Sequence, residues 1–554
     1  MTATETHADT SADIDDDVKA AGDGLYELVA SNDHKAIGRL WIGLSVFFFI
    51  DFAILGAVVA MERVSLDGFS IFGGATGYQQ TWTLVRTSGM FLVALPMMIG
   101  IATAIVPLQL GSPSIAFPRL AAASFWAWLV GAGLHVASFA ADGGLGPTAF
   151  TRTDSTLLTL TSLGLMVVAL LAASICIATT IIALRPAGMT LLRVPPFTWS
   201  MLVATSVWIL SLPVLLANLI YAWADLQGRD PIFFGNPDRI WGDIEWAFQQ
   251  PQIYSVAIPI LGIAAEITPV AAKVRAAGRT AVLIMIGLFG ALSFGAWAQH
   301  AFSRGADPQF VDGNFIYEEP LYIIFGIAIL LPILGIIGGL ADTVRRGEDL
   351  PKMSAALAGS IAALLMLLAA ATIGGLRVLP FTHILFEENS DGIHEMLSSA
   401  GAQYLLVIGA VVVSSIAALV WWAPKLFGGY ATESLASMAI LAIFGGSFAV
   451  GMADFITSFI GQRDLSISSD VEDGVEALNL LAMLGMGAIA MGGLVALVAL
   501  INAIRSDEIL PDDPFDGHTL EWASPSPPPI GNFVEPIDPI RSESPLLDEL
   551  EEVS

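Results

Sequence analysis

A chain of 554 residues that is 55% hydrophobic and 13% charged, with a mean hydropathy of +0.73, excludes a soluble globular domain and points to a protein that crosses a membrane many times. Its net charge of −28 excludes a surface built for nucleic acid or anionic lipid, and 22 of its 51 acidic residues lie in the two tails, 9 in residues 1–34 and 13 in residues 506–554. The single cysteine, Cys176, falls inside an apolar stretch, so no disulfide framework exists and the residue reads as a small core side chain.

The chain opens with a polar, acidic segment that lacks the pattern of a secretory signal peptide, so the first apolar stretch is expected to direct insertion. Twelve stretches of spanning length follow, at roughly 40–61, 82–108, 122–141, 156–183, 198–223, 250–271, 280–301, 318–341, 354–376, 400–422, 434–460 and 478–503. They are continuous apolar runs rather than the ten-residue alternation of a β-barrel, so the fold class is an all-α membrane protein, a twelve-helix bundle. Short loops join the runs and no repeat is evident. The expected organisation is an acidic tail over 1–35, a transmembrane domain over 36–505 and an acidic, proline-rich tail over 506–554. The last tail carries Ser524-Pro525-Ser526-Pro527-Pro528-Pro529 and is expected to be extended and to lie on the surface without a helix of its own.

Lysine and arginine divide unevenly between the two sides. The side with both tails carries 15 of the 23 basic residues and the other side carries 8. The positive-inside rule then places both termini in the cytoplasm, with the chain in the plasma membrane.

Several short motifs recur in one order. Asp33-His34-Lys35 with Ile37-Gly38 precedes the first span. Val106-Pro107-Leu108-Gln109-Leu110-Gly111 and Ala116-Phe117-Pro118-Arg119 follow the second. Arg185-Pro186-Ala187-Gly188-Met189-Thr190 and Phe197-Thr198-Trp199-Ser200 lead into the fifth, Leu212-Pro213-Val214-Leu215 lies within it, and Trp422-Ala423-Pro424-Lys425 closes the tenth. His518-Thr519-Leu520-Glu521-Trp522 lies in the last tail. In this order and spacing, over about residues 31–547, the chain resembles subunit I of the haem-copper oxidases. The resemblance implies twelve helices around two haems and one copper, in a respiratory complex that reduces oxygen and moves protons.

The same resemblance assigns ligand positions, and most carry other residues here. The low-spin haem position in span two is Val85, followed by Arg86 where the family has glycine. The haem positions of span ten are Ala402 and Tyr404; residues two apart on a helix face nearly opposite sides, so one helix can serve two haems. The copper positions are Gln250, Gln299 and His300, where the family reads HPEVY and W-A-H-H. Tyr254, which the family cross-links to its first copper histidine, is retained. Iron and copper of this kind need imidazole nitrogen, and one imidazole with two amides is a poor copper set. The family's proton-route positions are Gln252, Ser114, Ala121 and Ile336. His394 and Glu395 stand where the family has a His-Asp pair near magnesium, and a glutamate can replace aspartate as a hard oxygen ligand.

Four charges fall inside spans: Asp51, Arg86, Glu266 and Asp454. Each costs roughly 2.5–3.5 kcal/mol on insertion scales, so interior positions are expected. The pairing expected is Arg86 with Asp454 or Glu266, filling vacated haem space. His135 reads as an interfacial residue, and Met90 and Trp126 as core. His300 and Tyr254 read as remnants of the copper centre.

These observations support three readings. The first is a subunit that has lost its cofactors and serves alongside other oxidase-type subunits in a respiratory complex in the lipid bilayer. The second is a divergent terminal oxidase that holds haem and copper through other ligands. The third is a channel or transporter using the vacated interior.

Overall fold

The structure is a computed structural model that describes residues 31–64, 71–145, 153–228, 244–248, 252–294, 324–377, 399–459, 475–506 and 510–548. Every regular element among them is helical. Eleven helices are long and apolar enough to cross a membrane: α1 His34–Glu62, α2 Thr76–Gln109, α3 Pro118–Ala140, α4 Thr153–Ala183, α5 Pro196–Gln227, α6 Gln252–Ala271, α8 Ile324–Arg345, α9 Ala355–Leu376, α10 Gly401–Trp421, α11 Glu433–Ser458 and α12 Glu476–Ile504. Between α6 and α8 lies a shorter apolar helix, α7 Arg279–Phe294, in the place of the remaining expected span.

Three helices form the centre. The apolar windows of α2 and α6 are buried throughout and that of α10 almost throughout, whereas the other helices each leave a face outward. Around them α1 packs on α2 and α12, α12 on α11, α11 on α10, and α3, α4 and α5 follow in sequence to α6. The outward faces carry large apolar residues such as Phe47, Leu210, Leu331 and Leu441, which suits contact with lipid chains.

Local sequence explains the irregular stretches of the centre. Pro96 has no N–H to give the preceding turn, and α2 widens to a π-helical turn over Gly89–Ala94 just before it. α6 begins as a 3-10 segment over Gln252–Ala257 and becomes α-helical at Ile258-Pro259. Glycines set the closest crossing. A Cβ on Gly38 would lie 2.7 Å from the Gly100 carbonyl, and one on Gly100 would lie 2.7 Å from Trp41 Cβ, so α1 and α2 meet backbone to backbone.

The start of α1 and the described part of the last tail sit at one end of the bundle, called the tail end here, and most of the motifs that carry the resemblance lie there. His34 Nδ1 lies 3.0 Å from the Thr103 carbonyl, which can only accept, so Nδ1 carries the hydrogen and Nε2 accepts from Asn532 at 2.9 Å. Lys35 donates to the same Asn532 side chain at 3.0 Å. The last tail departs from the expected surface strand. Leu520, Glu521, Trp522, Ser524 and Asn532 are buried against the helices, a 3-10 turn forms over Leu520–Ala523, and a helical turn begins at Pro545. The reason is side-chain chemistry that proline content does not reveal: Glu521 Oε1 and Asn532 of the segment meet partners at the helix ends.

Replacing Gly100 with valine is expected to destabilise the purified protein by about 1–3 kcal/mol through overpacking of the α1–α2 crossing. A thermal melt in detergent unchanged from wild type would contradict that crossing.

Candidate functional site

The end of the bundle away from the described tail, the far end, holds the positions that the resemblance assigns to the low-spin haem on α2 and α10. Val85 and Arg86 on α2 and Tyr404 on α10 line one internal gap together with Trp82, Arg63 and Asp454. The Arg86 guanidinium stands 4.5 Å from the Tyr404 ring centre and 4.9 Å from that of Trp82. Cation–π attraction is worth about 2 kcal/mol or more when desolvated, so the two rings favour the charge at this position. The Tyr404 hydroxyl donates to the Arg86 carbonyl at 2.5 Å, which fixes α10 against α2. Gly89 permits this approach, since a Cβ there would lie 2.3 Å from the Tyr404 oxygen.

The next two side chains of α10 point elsewhere. Gln403 donates from Nε2 to the Tyr254 hydroxyl at 2.6 Å, and that hydroxyl donates to the Ala370 carbonyl of α9 at 3.4 Å. Tyr254 is fully buried and its ring meets Phe289 of α7. Ala402 is fully buried and is not part of the gap that Tyr404 lines, as the helical rotation between residues two apart requires. Positions 85, 254, 402 and 404 therefore converge on one layer across α2, α6 and α10. Gln250, Gln299, His300, His394 and Glu395 lie outside the described residues.

Chemistry at these positions follows from the side chains. Valine and alanine have no lone pair for a metal, and glutamine does not titrate. Gln252 is buried beside a second gap lined by Met90, Trp208 and Ser255, and its Oε1 has no hydrogen-bond partner among the described residues. Ile336 is fully buried, Ala121 nearly so, and the Ser114 carbonyl accepts from Ser112. Among the described residues no group of three or more histidine, cysteine, aspartate or glutamate side chains is placed to hold a metal.

The interior charges pair differently from expectation. Asp454 of α11 bonds Arg63, which lies just past α1, at 2.8 Å, with both side chains buried. Asn479 of α12 donates to the Arg63 carbonyl at 2.9 Å, so this pair ties α1, α11 and α12. Glu266 lies at the tail end, where it accepts from Thr519 at 3.0 Å and the Phe197 amide at 3.3 Å. Arg86 is buried, as expected of an interior charge, but it sits over aromatic rings while these two carboxylates are held by other groups. Asp51 is half-buried. His135 is fully buried rather than interfacial, 2.8 Å from the Thr87 hydroxyl and 3.2 Å from that of Ser162, so it links α3 to α2 and α4. Met90 is buried and Trp126 partly so.

Sequence reasoning missed Arg63, which stands at the edge of a span and looked like a loop residue. It also missed the tail segment. The available signal there was the apolar pair Leu520 and Trp522 in an otherwise polar, acidic stretch.

Comparison with known proteins matches this architecture. Residues 36–491 match the family described as Cytochrome C and Quinol oxidase polypeptide I. A putative cytochrome c oxidase subunit 1-beta of Streptomyces coelicolor is 30% identical, over 96% of this chain and 91% of its own length. Cytochrome c oxidase subunit 1 of Bacillus subtilis is 28% identical, over 95% and 84%. A solved structure of a heme-copper terminal oxidase dimer superposes with a TM-score of 0.64 at 14% identity, covering 93% of this chain and 89% of that one, which is a likeness of fold. The chain belongs to the cytochrome c and quinol oxidase polypeptide I family.

Replacing Arg63 with methionine is expected to cost about 3–5 kcal/mol, because Asp454 would be left as an uncompensated buried charge. Replacing both, Arg63 by methionine and Asp454 by leucine, should recover most of that loss in a denaturation series; equal loss in the double variant would show that packing rather than charge governs the site.

Proposed function

We propose that this family member is a non-catalytic subunit of an aerobic respiratory membrane complex, keeping the subunit I fold without its redox centres. The observation that carries the reading is Arg86, held between Trp82 and Tyr404 beside Val85. A low-spin haem at this place would need an imidazole from α2 and a planar slot between α2 and α10. The α2 position offers only methyl groups, and the guanidinium occupies the slot. Tyr404 has a phenol oxygen that can bind haem iron in some proteins, but here it is spent on the Arg86 carbonyl. The donor set therefore does not fit the group, and no electron-transfer step is written through it.

The tail-end motifs support a role as a partner of other oxidase-type subunits. They are retained where the ligand positions are not, and they build a well-packed end. Membrane placement with both termini in the cytoplasm follows from the basic residues, and His394 with Glu395 is a candidate cation pair on the opposite side.

A second reading, a divergent terminal oxidase, is favoured by the relatives, which are named as cytochrome c oxidase subunits. One experiment separates the two. The protein purified from its native membranes is examined by reduced-minus-oxidised absorption spectra and by iron and copper analysis. The expected result is no stoichiometric haem iron or copper in this chain, with other oxidase-type subunits co-purifying. A Soret band with one or more irons per chain would replace the first reading with the second.

A further inference from the structure

Two glutamates with no place in the far-end layer meet at the tail end. Glu266 comes from the last turns of α6 and Glu521 from the 3-10 turn of the tail, 255 residues on. Glu521 is fully buried and Glu266 nearly so. Glu521 Oε1 accepts from Gln109 of α2 at 3.0 Å and from the Trp422 indole at 3.2 Å, and Gln109 in turn accepts from Thr198 of α5 at 2.7 Å. The other carboxyl oxygen, Oε2, has no hydrogen-bond partner among the described residues. The Thr519 hydroxyl donates to Glu266 Oε1 at 3.0 Å, and Thr519 stands two residues before Glu521; the Phe197 amide donates to Glu266 Oε2 while the next residue, Thr198, bonds the Gln109 side chain that holds Glu521.

Two carboxylates buried among shared neighbours cannot both carry charge without a large penalty. A hydroxyl that gives its one hydrogen to Glu266 still has lone pairs free to accept. A protonated Glu521 would fill that role, satisfying Oε2 and removing one charge together. We propose that Glu266 and Glu521 form a single proton-binding site, and that the proton they share locks the Leu520–Ala523 turn onto the tail end of the bundle.

The surrounding charges are few. Arg279, at the start of α7, interacts with Glu266 but spends its donors on the Leu192 and Val194 carbonyls at 2.5 Å. Lys425, in the short helix after α10, donates to the carbonyls of Asp512, Ser524 and Pro525 and stands 5.3 Å from the Trp522 ring centre. Asp512 and Asp513 lie beyond Lys425, and Asp513 caps the backbone of Phe515 and Gly517. His518 is buried next to Thr519. His34 and Lys35 of α1 are engaged by Asn532.

The sign of the pH dependence separates the pair from its neighbours. Burial pushes the Glu521 carboxyl above its ordinary value. Docking therefore carries no ionisation cost below the ordinary carboxyl range, and it weakens as pH rises through the elevated value. Burial holds Lys425 down, to about 8. A lysine of that kind penalises docking while charged, so it would strengthen docking as pH rises.

The test uses the full chain in lipid nanodiscs. Hydrogen exchange of residues 518–525, corrected for intrinsic rate, is followed from mildly acidic to mildly alkaline pH, with the infrared band of protonated carboxyl recorded over the same range. The expected result is loss of protection with rising pH, by at most about tenfold per pH unit for one proton, together with loss of a protonated-carboxyl band. Glu521→Gln and Glu266→Gln should each remove that band and flatten the pH dependence, with the segment still protected at alkaline pH. Protection that is constant or that rises with pH, or Gln variants that keep the wild-type slope, would overturn the proposal. Should either variant fail to fold, the direction of the wild-type slope decides. Loaded or empty, the far-end layer has no part in this readout.

Discussion

The apolar windows of α2, α6 and α10 are buried almost wholly inside the bundle, so polar groups on these helices depend on partners within the protein. That constraint orders the rest of the structure. Leaving a buried donor or acceptor unmet costs roughly 1–3 kcal/mol, and a charge costs more. At the far end the burden falls on Arg86, Tyr404, Gln403 and Tyr254, which satisfy one another across three helices. At the tail end it falls on Gln109 and Glu266, and their partners come from a segment that lies outside the spans.

In this account two kinds of glue hold the bundle. The far end uses side chains of the spans: an arginine between two aromatic rings, a phenol on a carbonyl, and an arginine–aspartate pair that draws α1, α11 and α12 together. The tail end uses the chain's own last residues. Trp522 packs against Trp421 and Phe515, Lys425 caps the tail carbonyls, and Asn532 joins the start of α1 to the loop after α2.

Much of this was legible in the sequence. The motifs were enough for the family and for the layout of the spans, because each marks a loop or helix end that a fixed topology brings to one place. Span direction alone brings positions 85, 250, 300, 402 and 404 toward one depth; of these, 85, 402 and 404 lie among the described residues and 250 and 300 do not. The pairings were not legible. Asp454 meets Arg63 across 391 residues of chain, and Glu266 meets Thr519 across 253. Such choices depend on helix rotation and on which neighbour arrives first at a polar atom, and residue spacing carries neither. The tail misled for a related reason: acidic, proline-rich composition reads as solvated, while its burial rests on a few side chains such as Glu521, Trp522 and Asn532.

The central claim is that a guanidinium, rather than a haem, fills the space between Trp82 and Tyr404. A cryo-electron microscopy map of the protein purified from its native membranes, at a resolution that shows side chains, tests it directly. Arg86 density between the two rings, with continuous helix packing of α2 on α10, is the expected result. Planar macrocycle density in that layer, with Arg86 turned aside, would contradict it.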